Sequence, residues 1–179
     1  MSERSPGKVI WITGVSGVGK TTIGRELANI CQKLGRNPIF LDGDEIRAAL
    51  RPILNESKKL TPEGRLEIAK TYTNFCHLLS SQGFDVIIAT ISLFEEVQIT
   101  NRAKLPNYFE VFIDATLNTI KGRDPKKIYQ DHDAGKMRNV IGLDIAAFKP
   151  TNPEMHILND DDANPSKIAE EIAIQALKT

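Results

Sequence analysis

Gly14-Val15-Ser16-Gly17-Val18-Gly19-Lys20-Thr21 satisfies every fixed position of the pattern G-x-x-x-x-G-K-[ST], in the setting that this pattern needs. Before it runs Val9-Ile10-Trp11-Ile12-Thr13, a short continuous apolar stretch of the kind buried on both faces of a parallel sheet. After it comes a helical pattern with Ile23, Leu27, Ile30 and Leu34 on one face and Gly35 placed to cap its C-terminus. A strand, a glycine loop and a helix in that order turn successive backbone N–H groups inward and add the partial positive charge of a helix N-terminus. Such a loop is built for phosphate oxygens. Lys20 reaches the outer phosphates of a nucleotide, and the Thr21 hydroxyl takes a place on Mg2+.

The rest of the chain keeps to the same alternation. Pro38–Leu41, Asp85–Thr90, Tyr108–Ile113 and Met155–Leu158 read as further strands. A short helix starts at Glu45. Thr61-Pro62 opens another, with a threonine N-cap and proline at the first position; it runs to about Ser81 and ends at Gly83. Asn164-Pro165 opens the last helix, which turns Ile168, Ile172 and Leu177 inward. The pattern predicts one α/β domain over residues 1–179, a doubly wound five-stranded parallel sheet flanked by helices, with the P-loop NTPase fold. Residues 126–150 are polar with few apolar periodicities, and they read as a mobile lid outside the core.

Composition removes several function classes. Lys plus Arg and Asp plus Glu are 23 each, so the chain lacks the basic excess of a generic nucleic-acid binder and any anion site is local. No apolar stretch approaches the roughly 20 residues of a membrane span, and the polar start Met1–Lys8 is unlike a signal peptide. Cys31 and Cys76, both in helical patterns, read as buried free thiols. The expectation is a soluble cytoplasmic protein.

A phosphate loop alone does not separate kinases from GTPases or motors. The chain has no N-K-x-D element after a later strand, and it is short for a motor. Asp42-Gly43-Asp44, directly after the second strand, places two carboxylates where they face the loop across the crevice of the sheet. One can hold a metal-bound water while the other accepts a hydroxyl proton, which points to a small-molecule kinase with Asp42, Asp44 and Lys20 as its catalytic groups.

With these residues in place, the chain resembles the adenylylsulfate kinase family from Val9 to about Ile157. The resemblance rests on the loop, on Leu41-Asp42-Gly43-Asp44-Glu45-Ile46-Arg47 and on Ile91-Ser92. It continues through Arg123-Asp124-Pro125-Lys126 with Tyr129 and Ala134-Gly135, then Gly142-Leu143-Asp144 and Asn152-Pro153-Glu154-Met155-His156. It implies that Gly14, Val15, Ser16, Gly17, Val18, Gly19, Lys20, Thr21 and Thr22 bind the phosphates of ATP and that Arg123 lies at its adenine. Thr21 and Asp42 would stand at Mg2+, and Asp44 would be the base for a ribose 3′-hydroxyl. Arg47, Arg65, Ile91 and Ser92 would line the acceptor site, with Lys126 at the start of the lid. The resemblance also implies pairing of two copies.

The departures gather on the acceptor side. Leu60 and Val140 stand where the family carries two phenylalanines that sandwich the acceptor's adenine. Ile68 replaces the asparagine of E-N-I-R-R. Leu93 and Glu95 replace the proline and arginine of I-S-P-[FY]-R, and the basic K-K-A-R of the lid is Gln130-Asp131-His132-Asp133. Base–aromatic stacking is worth roughly 1–3 kcal/mol per base, and Glu95 beside an anionic acceptor would repel it. One reading is the same phosphoryl transfer to another nucleotide conjugate, such as the cytidine diphosphoramidate used by bacterial relatives. A second is an ordinary adenylylsulfate kinase whose pocket is filled by other residues. A third is a nucleotide-binding regulatory module without turnover. His77 reads as packed or half-exposed, His156 and Trp11 as core, and Asp160-Asp161-Asp162 as a solvated loop. His132, between two aspartates in the lid, is the histidine placed to touch a ligand.

Overall fold

A computed structural model describes residues 5–52, 61–160 and 163–178. The strands β1 (Val9–Thr13), β2 (Ile39–Asp42), β3 (Val86–Thr90), β4 (Tyr108–Asp114) and β5 (Met155–Leu158) form one parallel sheet in the order β2-β3-β1-β4-β5. Every residue of β1 and β3 is buried, as expected for central strands covered by helices on both faces. The register sets Thr13 level with Thr90 and Phe112, and Asp42 level with Ala89, so the C-terminal ends of four strands finish together. In an open α/β sheet that edge, where the strand order reverses, is where ligands bind.

Helix α1 (Lys20–Lys33) packs on β1 and on α7 (Pro165–Ala176). It closes in a Schellman arrangement, with the N–H of Arg36 donating to the carbonyl of Cys31 and that of Gly35 to Gln32. Its buried face is Ile23, Gly24, Leu27, Ala28 and Cys31. Ile30 is only half-buried and Leu34 is exposed, so the face is turned from the expected one. Gly24 is the cause: a Cβ there would stand 2.6 Å from the Phe40 ring, so the helix approaches β2 through this glycine. Helix α2 (Gly43–Leu50) follows β2 directly, and α3 (Pro62–Ser80) starts on the Thr61 hydroxyl, which accepts from the Gly64 N–H at 3.1 Å. Helices α4 (Glu95–Lys104), α5 (Leu117–Arg123) and α6 (Ile128–Asp133) complete the layers.

Two expectations are corrected. The segment 126–150 is not excluded from the core: Tyr129 on α6, Val140 and Ile141 are each at most 5 % exposed, and Tyr129 donates through its hydroxyl to the Ser16 carbonyl. Three apolar anchors spaced too irregularly to show a period hold this segment over the phosphate loop. His156 is exposed, because β5 is an edge strand with one flank uncovered. Trp11 is buried, His77 half-buried, and both cysteines are buried free thiols. Among the described residues no helix is long and apolar enough to cross a membrane.

Candidate active site

The loop between β1 and α1 owes its path to glycine. Gly17 and Gly19 have φ of 82° and 90°, and a Cβ on Gly19 would stand 2.6 Å from the Asn159 amide nitrogen. That amide donates to the Val18 carbonyl at 2.8 Å, while the Asn159 carbonyl accepts from Arg123 at 2.8 Å. One residue at the end of β5 thus ties the phosphate loop to the arginine expected at the adenine. Lys20 extends along the loop, its Nζ donating to the Val15 carbonyl at 2.6 Å. Burial, aided by the nearby Lys126 cation, brings the Lys20 ammonium from its ordinary 10.5 down to about 7.

Asp42 serves two partners at once. Its Oδ2 accepts from the Thr21 hydroxyl at 2.6 Å, and its Oδ1 accepts from the N–H groups of Asp44 and Glu45 at 2.8 and 3.4 Å as the N-cap of α2. Because the Thr21 hydrogen is spent on Asp42, the lone pairs of that hydroxyl stay available for a cation. An oxygen-only pair of this kind suits Mg2+, a hard ion that prefers carboxylate, hydroxyl and water ligands. Asp44, on the first turn of α2, forms ion pairs with Arg47 and Lys126, so the carboxylate is held between its own helix and the loop leading into α6. Tyr72 of α3 donates to the Gly43 carbonyl at 2.7 Å and pins that first turn; burial pushes its phenol upward.

These groups open on one cleft of about 1080 Å3, lined by both ends of the expected site. Of the proposed nucleotide-binding residues, Ser16, Gly17, Gly19, Lys20, Thr21, Thr22 and Arg123 line it. Gly14, Val15 and Val18 do not; Val18 is fully buried and packs in the core. Of the acceptor residues, Asp42, Asp44, Arg47, Arg65, Ile91, Ser92, Lys126 and Val140 line it. Burial holds the Arg65 guanidinium below its usual range. Leu60 lies outside the described residues. The floor at Ile91-Ser92 is fixed by a bond from Thr13 to the Ile91 carbonyl at 2.6 Å and by the Thr90–Ser92 hydroxyl pair at 2.8 Å. Ser92 itself sits at a positive φ of 22°.

Glu95 does not line the cleft. It is exposed on the first turn of α4, where a carboxylate meets the helix dipole, so it does not repel an acceptor as the sequence suggested. His132 does not line it either; its Nε2 lies 3.6 Å from Asp144 Oδ2. Asp144 in turn accepts from the N–H groups of Asn139, at 2.7 Å, and Val140. Burial works against this carboxyl, but those bonds hold it below the usual carboxylate range. Asp160 accepts from the Thr116 N–H at 2.8 Å, and Asp161 and Asp162 lie outside the described residues. The sequence reading missed Tyr72, Phe94, Met137, Arg138 and Arg51 as lining residues. Tyr72 was detectable, since Ile68, Tyr72 and Cys76 share one face of α3 at helical spacing.

The protein family described as adenylylsulphate kinase matches residues 6–158. The cytidine diphosphoramidate kinase of Campylobacter jejuni is 37 % identical over 142 residues, 79 % of this chain and 81 % of that protein. The adenylyl-sulfate kinase of Picosynechococcus is 35 % identical over 154 residues, 86 % of this chain and 85 % of that one. Among solved structures, the Mycobacterium tuberculosis APS kinase CysC in complex with AMPPNP and APS superposes with a TM-score of 0.85 at 28 % identity, covering 97 % of this chain and 99 % of that chain.

Proposed function

Because this chain belongs to the adenylylsulphate kinase family of ATP-using nucleotide kinases, we propose that it transfers the γ-phosphoryl group of ATP to the ribose 3′-hydroxyl of a cytidine diphosphate conjugate, cytidine diphosphoramidate first. The observation that carries this reading is the wall of the acceptor end. Ile68 and Val140 are at most 7 % exposed and both line the cleft, and the resemblance drawn from the sequence sets them where the family carries an asparagine and one stacking phenylalanine. An aliphatic slot without those groups suits a smaller base than adenine. The C. jejuni relative, named for a cytidine substrate, supports the same choice.

The geometry supports the following chemistry. The loop N–H groups and Lys20 hold the triphosphate, and Arg123 lies at the adenine end of the cleft. Thr21 and Asp42 would hold Mg2+, which would supply neutralisation of phosphate charge. Asp44 takes the proton of the 3′-hydroxyl as its oxygen bonds to the γ-phosphorus and the bond from that phosphorus to the β-bridging oxygen breaks, leaving ADP. Lys126 bridges Asp44 to the segment above the loop, so closing of that segment and placement of the base are one event. Arg47 and Arg65 receive the anionic part of the acceptor.

The test is turnover with a panel of acceptors under saturating ATP. Cytidine diphosphoramidate is expected to give the highest kcat/KM and adenylyl sulfate a value at least tenfold lower. Efficient use of adenylyl sulfate with the cytidine conjugate inert would overturn the reading and leave an ordinary adenylylsulfate kinase. ATP binding with no transfer to any acceptor would leave a regulatory module.

A further inference from the structure

The cleft is lined by eight cationic side chains and only three acidic ones, in a chain whose formal charge is zero. Most of these cations are already engaged. Lys20 bonds the Val15 carbonyl, Arg25 pairs with Glu45, and Arg47 and Lys126 share Asp44, while Arg51, Arg65 and Arg123 have partners of their own. Arg138 differs: among the described residues it is the cleft cation that makes no hydrogen bond or ion pair. Its backbone, by contrast, is firmly placed. The next two residues donate their N–H groups to Asp144, and Asn139 takes the left-handed φ of 60° that the turn requires. Val140 and Ile141, directly after it, are buried. Val140 and Ile141, which follow in the same segment, line the cleft with Arg65, and Asp144 acts on the Arg65 charge, so the turn borders the Arg65 side of the cleft.

An exposed guanidinium without a partner, on a turn held before it by the Met137 N–H on the Asp131 carbonyl at 3.1 Å and after it by Asp144, is arranged to close on an anion. We propose that Arg138 is a specificity-determining residue that binds the second phosphoryl group of a nucleoside diphosphate-type acceptor, joining Arg47 and Arg65 around that group. This rests on the acceptor reading above and deepens it. A monophosphate acceptor offers one anionic centre, which Arg47 and Arg65 already serve. A second phosphoryl group beyond it adds the oxygens that a third planar fork can take.

The experiment measures equilibrium binding of CDP and CMP to the wild-type protein, Arg138→Gln, Arg138→Lys and Lys136→Gln, each with the nucleotide donor site saturated by AMPPNP. Lys136 is exposed in the same segment and does not line the cleft, so its variant removes the same charge from the wrong place. Wild type is expected to bind CDP about 10- to 100-fold more tightly than CMP, the range for a charge-assisted bond to phosphate. Arg138→Gln should abolish that preference while leaving AMPPNP affinity intact, and Arg138→Lys should restore part of it. Lys136→Gln should behave as wild type. Three outcomes overturn the proposal: a CDP preference unchanged in Arg138→Gln, an equal loss in Lys136→Gln, or a loss of AMPPNP affinity instead. Because the readout is binding without transfer, failure of the proposed reaction in the acceptor panel would be seen separately.

Discussion

Replacing Asp42 by asparagine keeps the side chain's shape but sets its two duties against each other. The N–H groups of Asp44 and Glu45 require an oxygen at the cap of α2. The asparagine oxygen must therefore stay there, which turns its amide NH2 toward Thr21. The Thr21 hydroxyl, now facing a donor, has to accept instead of donate, so one of its two lone pairs is used and its freed hydrogen competes with Mg2+ for the open side of the oxygen. The fold loses little: a neutral cap for a charged one costs about 0.3–1 kcal/mol, which for a domain of this size lowers Tm by roughly 1–4 °C. Activity loses more. Disturbing a group that orients a metal ligand typically costs on the order of 10- to 100-fold. We expect kcat/KM for ATP to fall by about that factor and the Mg2+ concentration for half-maximal activity to rise. Thr21→Val should give a loss of similar size, and the double variant should be little worse than either single one, because both remove one unit. The assay is steady-state turnover across a Mg2+ titration, with a thermal melt of each variant. Asp42→Asn activity within threefold of wild type at an unchanged Mg2+ requirement, or losses that multiply in the double variant, would refute the Thr21–Asp42 arrangement.

Asp44→Asn is expected to lower kcat by about 10²- to 10⁴-fold, the usual worth of a positioned proton acceptor, with little change in ATP affinity; a matching loss in ATP binding, measured by calorimetry, would place Asp44 on the metal instead. Lys20 sets a pH dependence. Its folded value of about 7 lies below the ordinary 10.5, so between those limits the unfolded chain binds more protons and the unliganded protein gains stability as pH rises. ATP phosphates replace the solvation that burial removed and pull the proton back onto Lys20, so ATP affinity should weaken from pH 7 to 9, by at most tenfold per unit. Calorimetry in buffers of different ionisation enthalpy should show proton uptake on binding, and a flat affinity over that range would contradict it.

What was legible in the sequence is what lies in one continuous stretch. The phosphate loop, the strand before it and the helix after it occupy consecutive residues, so each glycine has a local reason that the sequence alone carries. Asp42 and Asp44 were legible for the same reason, since the turn after β2 places them without reference to the rest of the chain. The acceptor wall is different. Ile68, Tyr72, Phe94, Met137 and Val140 come from α3, the loop after β3 and the segment before β5, and no local period links them. Tyr129 shows why a polar composition misleads: with Val140 and Ile141 it joins a hydrophilic segment to the core, its hydroxyl seated on the Ser16 carbonyl. His156 shows the converse, because an apolar pattern cannot say whether its strand lies at the centre or at the edge of the sheet.

Glu95 no longer counts in the choice of acceptor, since it is exposed at the start of α4 and away from the cleft. What remains is Ile68 and Val140, and their burial makes the difference from the family harder to reverse than a surface contact would be. Val140 is 5 % exposed, with its N–H held by Asp144 and Ile141 buried beside it. A phenylalanine in its place would have to displace packed neighbours, at about 1–3 kcal/mol for an overfilled site, before any stacking on a base could offset that cost. An adenine slot therefore does not lie one substitution away. Ile68, on the face of α3 that also carries Tyr72, is coupled through the Tyr72 hydroxyl to the first turn of α2 and so to Asp44. The Ile68–Tyr72 face of α3 and the turn that carries Asp44 are one packed unit, so on the proposed reading a change of acceptor draws on Ile68, Val140 and the contacts of Tyr72 together.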